Sequence, residues 1–371
     1  MTDPAAFATP AVRNLAPYIP GKPLEELERE YGIRDSIKLA SNENPLGAGP
    51  RVQAAIAAAA RDIHLYPDGS GFTLKQALAR KHGCAAESIT LGNGSNDVLV
   101  MIAEAFLTVQ SEAVFSQYGF VTYPIAVQAT GATAKIAAAN PIDHPMPLGH
   151  NLEAFARLIN ERTRVVFVAN PNNPTGTWLD EGALKRFVAA VPKQTLLVID
   201  QAYIEYVDEP SFPDASRWLA EFPNLVVTRT FSKAYGLAGL RVGYALSHPA
   251  VADVLNRVRQ PFNVNSIALG GALVALEEPE HLQRSVAMNC SGMVQLRDGF
   301  DALGVRHLPS VGNFVLIDCA RPAAGVYEAM LRQGVIVRPV GNYQLPNHLR
   351  ITIGTRVQNE RMLAALKQAL G

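Results

Sequence analysis

LVVTRTFSKAYGLAGLRVGYAL, residues 225–246, holds two strand-like runs with a lysine between them. Leu225–Thr230 is rich in β-branched residues and gives way to a turn-forming stretch, so it predicts a short buried strand. Arg241–Leu246 predicts a second one. The loop between them places Lys233 among small and apolar residues, directly after Ser232 and eight positions before Arg241. Two similar runs lie upstream: Arg164–Ala169 leads into NPNNPTG, and Thr195–Asp200 leads into QAY. Strands alternate here with helical patterns, which predicts an α/β fold built on a mostly parallel, doubly wound sheet covered on both faces. Ligands collect at the carboxyl ends of strands in such sheets, so the polar residues that close these runs are candidate site residues.

Working outward, SITLGNGSNDVLVMIAEAF reads as a strand, a glycine turn and a helix whose start offers Ser95, Asn96 and Asp97 as capping residues. Beyond about residue 270 the pattern changes to a long, charged, helix-periodic stretch. NFVLIDC, a helix around Val326 to Gln333, and the strands GVIVRPV and HLRITIG follow it. The expected organisation is a large domain over 41–270, a smaller α+β domain over 271–371, and an N-terminal segment, 1–40, that returns to the small domain. The length of 371 residues suits more than one domain.

Lys plus Arg number 33 and Asp plus Glu number 33, so the net charge is zero. That balance predicts no general attraction to nucleic acid or to an anionic membrane, and any anion site must be local. Cys84, Cys290 and Cys319 are scattered, which argues against a disulfide framework and against a paired-thiolate metal site. The eight histidines show no metal-ligand spacing either. MTDPAAFATPAV has no basic and apolar signal pattern, and runs such as LVMIAEAFL meet charge well before membrane-span length. A soluble, cytoplasmic protein without a metal is the expectation.

Taken singly, each candidate has an ordinary reading beside a chemical one. Lys233 is either a surface-loop lysine or an amine whose pKa falls on desolvation, able to form an imine with a carbonyl. Asp200 is either a helix cap or, if the cofactor is pyridoxal phosphate, the buried carboxylate that keeps the pyridine nitrogen protonated. Tyr203 either packs in the core or donates to the ring's phenolate oxygen. Asn173 sits in a proline-stiffened turn that also suits an amide held against a cofactor oxygen. Thr230, Ser232, Arg241 and the amides near Gly94, Ser95 and Asn96 suit a phosphate, because helix N-termini attract anions.

Together, Asp-x-x-Tyr, Asn-Pro-Thr-Gly and Ser-Lys with a downstream Arg, each at the end of a predicted parallel strand, resemble the fold-type I pyridoxal-phosphate-dependent aminotransferases. APYIPGKP, KLASNENPLG, LYPDGSGF, LGNGSNDVL, ANPNNPTGTW, VIDQAYIEY, RTFSKAYGLAGLRVGY and LRITIGT narrow the resemblance to the histidinol-phosphate aminotransferase family. It runs from roughly residue 14 to the C-terminus. The resemblance implies pyridoxal 5'-phosphate as cofactor, bound covalently by Lys233, with Asp200 on the pyridine nitrogen and Tyr203 and Asn173 on ring oxygens. It also implies Tyr118 stacked on the ring, and Tyr66 reaching the phosphate of a neighbouring subunit's cofactor in a homodimer. Arg350, Arg338 and Tyr18, with Asn173, would hold the substrate. The activity implied is the ping-pong interconversion of L-histidinol phosphate and 2-oxoglutarate with imidazole acetol phosphate and L-glutamate, in histidine biosynthesis. One anion site must then accept both a phosphate and a carboxylate, which suits two forked guanidinium groups. The chain departs from the family at Gln201, where Glu is the more frequent residue.

Three other readings remain open to test. A nicotinamide-dependent oxidoreductase shares the sheet, but GNGSND has Asp97 where the dinucleotide fingerprint needs its third glycine. A pyridoxal-phosphate lyase or decarboxylase shares fold and cofactor, which do not select the bond broken. An aromatic-amino-acid aminotransferase would accept a planar side chain like the imidazole.

Overall fold

The computed structural model describes residues 3–371; Met1 and Thr2, part of the expected N-terminal segment, lie outside them. Seven strands form the main sheet in the spatial order Ile89–Gly92, Gly243–Ser247, Leu225–Thr230, Leu196–Asp200, Thr163–Ala169, Glu112–Ser116, Thr133–Ala137. Gly243–Ser247 runs against both of its neighbours, and the other pairings are parallel. The reversal has a local cause. Between Thr230 and Gly243 the chain makes a single 3-10 turn, Ala238–Leu240, and lacks the crossover helix that parallel neighbours need.

Both faces of this sheet are covered, as the unbroken apolar strands require. Along Leu196–Asp200, Leu197 and Ile199 enter a core with Leu78, Phe155 and Phe187. Leu196 and Val198 point the other way, into a core with Leu99, Ile102 and Phe167. This two-residue alternation follows from the pleat, and each fully buried aliphatic side chain contributes about 1.5–3 kcal/mol. Asp200 ends the strand at the carboxyl edge, where the chain leaves the sheet.

The C-terminal part builds a four-stranded antiparallel sheet in the order Arg338–Pro339, His348–Thr352, Phe314–Asp318, Arg306–His307. Leu296 and Phe300 of the long helix Pro279–Ala302 and Met362 and Leu366 of Arg356–Leu370 pack on Ile317 and Ile351 of this sheet. GVIVRPV, expected as one strand, is divided. Val335–Ile336 pairs in parallel with Ile37–Lys38, whereas Arg338–Pro339 joins the antiparallel sheet. Residues 37–38 thus lie with the C-terminal part, but the short helix Pro10–Arg13 rests against the large-sheet helix Thr122–Ala129, with Gln128 donating to the Ala11 carbonyl at 3.3 Å. Among the described residues no helix is long and apolar enough to cross a membrane.

Candidate active site

Three parallel strands end side by side at Ala169, Asp200 and Thr230, and a pocket of about 330 Å³ opens there against the C-terminal sheet. Asp200 lines it from the strand end and is buried. Its Oδ1 accepts from the Thr228 hydroxyl at 2.9 Å and its Oδ2 from the Tyr123 hydroxyl at 3.1 Å. Burial pushes the carboxyl above its ordinary pKa, and these two donors pull it back. Tyr203, three residues on, accepts from Asn42 Nδ2 at 2.9 Å. Burial raises its phenol to about 12, so it keeps its proton and has it to donate.

Lys233 enters from the loop after Thr230. Its Nζ donates to the Ser41 carbonyl at 3.1 Å and lies 5.6 Å from the centroid of the Tyr203 ring. Burial first, then the positive charge of Arg350, brings its pKa from 10.5 to about 7. The loop can approach residues 41–48 because Gly236 sits at φ +72, where any Cβ would run into the Gly47 backbone carbonyl.

The other end of the pocket suits an anion. The helix Ser95–Phe106 begins at Gly94 with no side-chain cap. Asp97, expected as a capping residue, instead accepts from the Asn93 N–H and from Asn263 Nδ2, both at 2.8 Å. First-turn N–H groups are left without a side-chain acceptor at the pocket wall made by Ser95 and Asn96, with Thr230, Ser232 and Arg241 beside them. Arg241 takes a left-handed backbone (φ 58) and is held by donating to the Ala238 carbonyl at 2.8 Å and to the Ser232 hydroxyl at 3.3 Å. Gly94 does not itself line the pocket. A Cβ there would collide with the Arg241 guanidinium, so its role is to make room.

On the facing side, Arg338 and Arg350 sit directly opposite each other on adjacent antiparallel strands. Arg350 is 8% exposed and donates to Asn173 Oδ1 and to the Ala40 carbonyl, each at 2.6 Å, with its guanidinium over the Phe314 ring. Its Nε is buried with no partner in the protein. Asn173 has its oxygen committed to Arg350, which leaves its NH₂ as the donor it can offer to a ligand. Arg338 donates to the Ile19 carbonyl at 2.8 Å and lies over the Tyr18 ring, and both side chains line the pocket.

Two sequence-selected residues lie elsewhere. Tyr118, expected on the ring face, packs in an apolar cluster with Leu148, Leu308, Leu316, Val340 and Leu345. A tight turn, with the Gly119 N–H donating to the Ser116 carbonyl at 2.8 Å, redirects the chain, and the aromatic of this segment that lines the pocket is Phe120. Tyr66 is 83% exposed, stacked on Phe262 and outside this chain's pocket. Conversely, Asn42, Glu43, Phe120 and Tyr343 line the pocket, and Tyr123 and Thr228 hold Asp200, although none was selected from the sequence. Thr228 carried a signal: it lies two residues before Thr230 on the same strand, hence on the same face. Among the described residues no group of His, Cys, Asp and Glu side chains is arranged to hold a metal ion.

The pocket therefore combines a nucleophilic amine, a buried carboxylate, a protonated phenol and an anion cradle on one side with a two-arginine site on the other. A planar, phosphate-bearing heterocycle with a carbonyl matches the first set, and an anionic amino compound matches the second.

Comparison with known proteins gives the same outline. The family model described as aminotransferase class I and II matches residues 34–366. The chain is 54% identical to histidinol-phosphate aminotransferase 2 of Methylococcus capsulatus, covering 98% of each chain. It is 55% identical to histidinol-phosphate aminotransferase 2 of Pseudomonas aeruginosa, covering 100% of this chain and 99% of the other. Among solved structures, the histidinol-phosphate aminotransferase of Sinorhizobium meliloti in complex with pyridoxal-5'-phosphate superposes with a TM-score of 0.90 at 29% identity, covering 98% of both chains.

Proposed function

The chain belongs to the class I and II aminotransferases, and on that premise we propose that it is a histidinol-phosphate aminotransferase that carries pyridoxal 5'-phosphate. The observation that supports this most directly is the enclosed Lys233 amine, brought to about pKa 7 in one pocket with Asp200 and the Arg338–Arg350 pair. The residues present fit the cofactor. An uncapped helix start, the Arg241 guanidinium in the space that Gly94 leaves, and the hydroxyls of Thr230 and Ser232 suit its phosphate. Asp200 suits the ring nitrogen, and Tyr203 and Asn173 suit its oxygen.

Bound there, pyridoxal phosphate supplies an aldehyde for the amino group and an electron-withdrawing ring that makes the substrate α-proton acidic. Lys233 would hold the aldehyde, and its Nζ is the group that would take up and return the substrate α-proton. An amine with a pKa near the working pH both accepts and releases that proton readily. Asp200, ionised, would set a negative charge beside the ring nitrogen. Arg350 and Arg338 bind the substrate's anion, which is the phosphate of histidinol phosphate in one half-reaction and a carboxylate of glutamate in the other. Phe120 and Tyr343 give the pocket flat apolar walls suited to an imidazole.

The site is completed by a second subunit in this reading. Tyr66 is exposed on the surface of its own chain, and a homodimer would bring its hydroxyl to the phosphate in the partner's pocket. Steady-state kinetics with 2-oxoglutarate as acceptor test the substrate assignment. Histidinol phosphate should have the higher kcat/KM when compared with phenylalanine; a preference for phenylalanine overturns it. Lys233→Ala should remove turnover while the fold persists.

A further inference from the structure

Asp200 is a carboxylate in a buried place, and burial alone would favour its neutral acid. Two hydroxyls oppose that, one on each oxygen: Thr228 at 2.9 Å and Tyr123 at 3.1 Å. Tyr123 is fully buried, on the first turn of the helix Thr122–Ala129. Its ring stacks on Phe167 at 4.9 Å and 13°, and meets the pocket-lining Phe120 edge-on at 5.9 Å and 86°. Burial and the neighbouring carboxylate hold its phenol well above the ordinary range, so the hydroxyl acts as a donor throughout the working pH range. Protonating Asp200 would weaken both contacts, because a hydroxyl donates more strongly to a carboxylate than to a neutral acid. The ionised form keeps both bonds and retains a lone pair for a third partner.

We propose that Tyr123 is a positioning residue for the transamination: it holds Asp200 ionised and aimed at the cofactor's ring nitrogen, and its ring fixes the aromatic wall at Phe120. This rests on the reading that pyridoxal phosphate occupies the pocket. The titratable groups that face Asp200 besides Tyr123 are Lys233 and Tyr203, from the lysine loop and the turn after the strand. Neither forms a hydrogen bond to it, so the Tyr123 hydroxyl is the contact whose loss separates positioning from mere filling of space.

Tyr123→Phe removes one oxygen and keeps the ring stack. In the holoenzyme, the dissociation constant for pyridoxal phosphate should rise about tenfold, the size expected for one hydrogen bond to a charged group. kcat should fall by a similar factor with KM for histidinol phosphate held within about twofold, since the arginine site is untouched. The absorption of the bound cofactor, followed against pH, should show the ring nitrogen losing its proton about one pH unit lower than in the parent protein. If Tyr123→Phe does not fold, 3-fluorotyrosine placed at 123 keeps the shape, strengthens the donor and should move that midpoint upward. Unchanged cofactor affinity together with an unchanged midpoint overturns the proposal. Failure of the parent protein itself to bind pyridoxal phosphate overturns instead the reading beneath it.

Discussion

Raising the pH of the cofactor-free protein through neutrality titrates Lys233, because burial, followed by the charge of Arg350, brings its pKa from 10.5 to about 7. The difference, 10.5 − 7 = 3.5, means that about half of these amines are neutral at pH 7, against about one in 3,000 for an ordinary lysine. Trace acetylation with acetic anhydride, read peptide by peptide by mass spectrometry, reports the neutral fraction directly. The labelling rate at Lys233 should reach half its plateau near pH 7. Removing the cation in Arg350→Met should move that midpoint upward, though not as far as 10.5, because burial is the larger cause. The same displacement has a thermodynamic face. The unfolded chain binds the lysine proton up to pH 10.5 and the folded chain only up to about 7, so stability rises with pH across that window. At pH 7 and below, the buried charge costs up to about 5 kcal/mol, and Lys233→Met should raise the melting temperature of the cofactor-free protein there, with the gain fading between pH 7 and 10.5. A labelling midpoint above pH 9, or a Lys233→Met protein no more stable than the parent at pH 6, would refute the reasoning.

The arginine pair, the Gln201 departure and the lysine loop each give a further outcome. Arg350→Lys loses the fork that spans Asn173 and Ala40, and kcat/KM should fall about 30- to 100-fold in both half-reactions with cofactor binding retained; a loss confined to one substrate means the two anions do not share the site. Gln201 is buried, donates to the Pro213 carbonyl at 2.7 Å and accepts from Arg229 at 3.0 Å and from the Ala215 N–H. Gln201→Glu sets an acceptor against Pro213 beside an arginine already paired with Asp214, and should cost about 1–2 kcal/mol in thermal or urea unfolding while kcat changes less than about twofold. A tenfold change in kcat at unaltered stability would contradict that. Gly236→Ala combines a positive φ with a clash against backbone that cannot yield, and a loss of about 2–3 kcal/mol is expected; an unchanged melting temperature counts against the close approach.

Gln201 shows why a departure from a family pattern is legible in sequence but its effect is not. Its neutrality is visible in VIDQAYIEY, whereas its partners, Pro213, Ala215 and Arg229, come from two later segments. Tyr118 and Phe120 make the same point from the opposite side. SQYGF marks an aromatic after a strand, and only the path of the turn at Gly119 decides which ring lines the pocket.

What the amino-acid order determined by itself was whatever depends on near neighbours. The β-branched, apolar runs such as Leu196–Ile199 set the strands, their polar ends mark one edge of the sheet, and the spacing from Ser232 through Lys233 to Arg241 sets a loop that carries an amine and a guanidinium. Tertiary structure decided the direction of Gly243–Ser247, the release of the Ser95 helix from its expected cap, the choice of Phe120, and the grip of Tyr123 on Asp200. Those outcomes join residues far apart in the chain, 77 positions for Tyr123 and Asp200 and 310 for Arg350 and Ala40. Hydrogen bonding and desolvation act over a few ångströms of space, and no local pattern records which distant groups will share it.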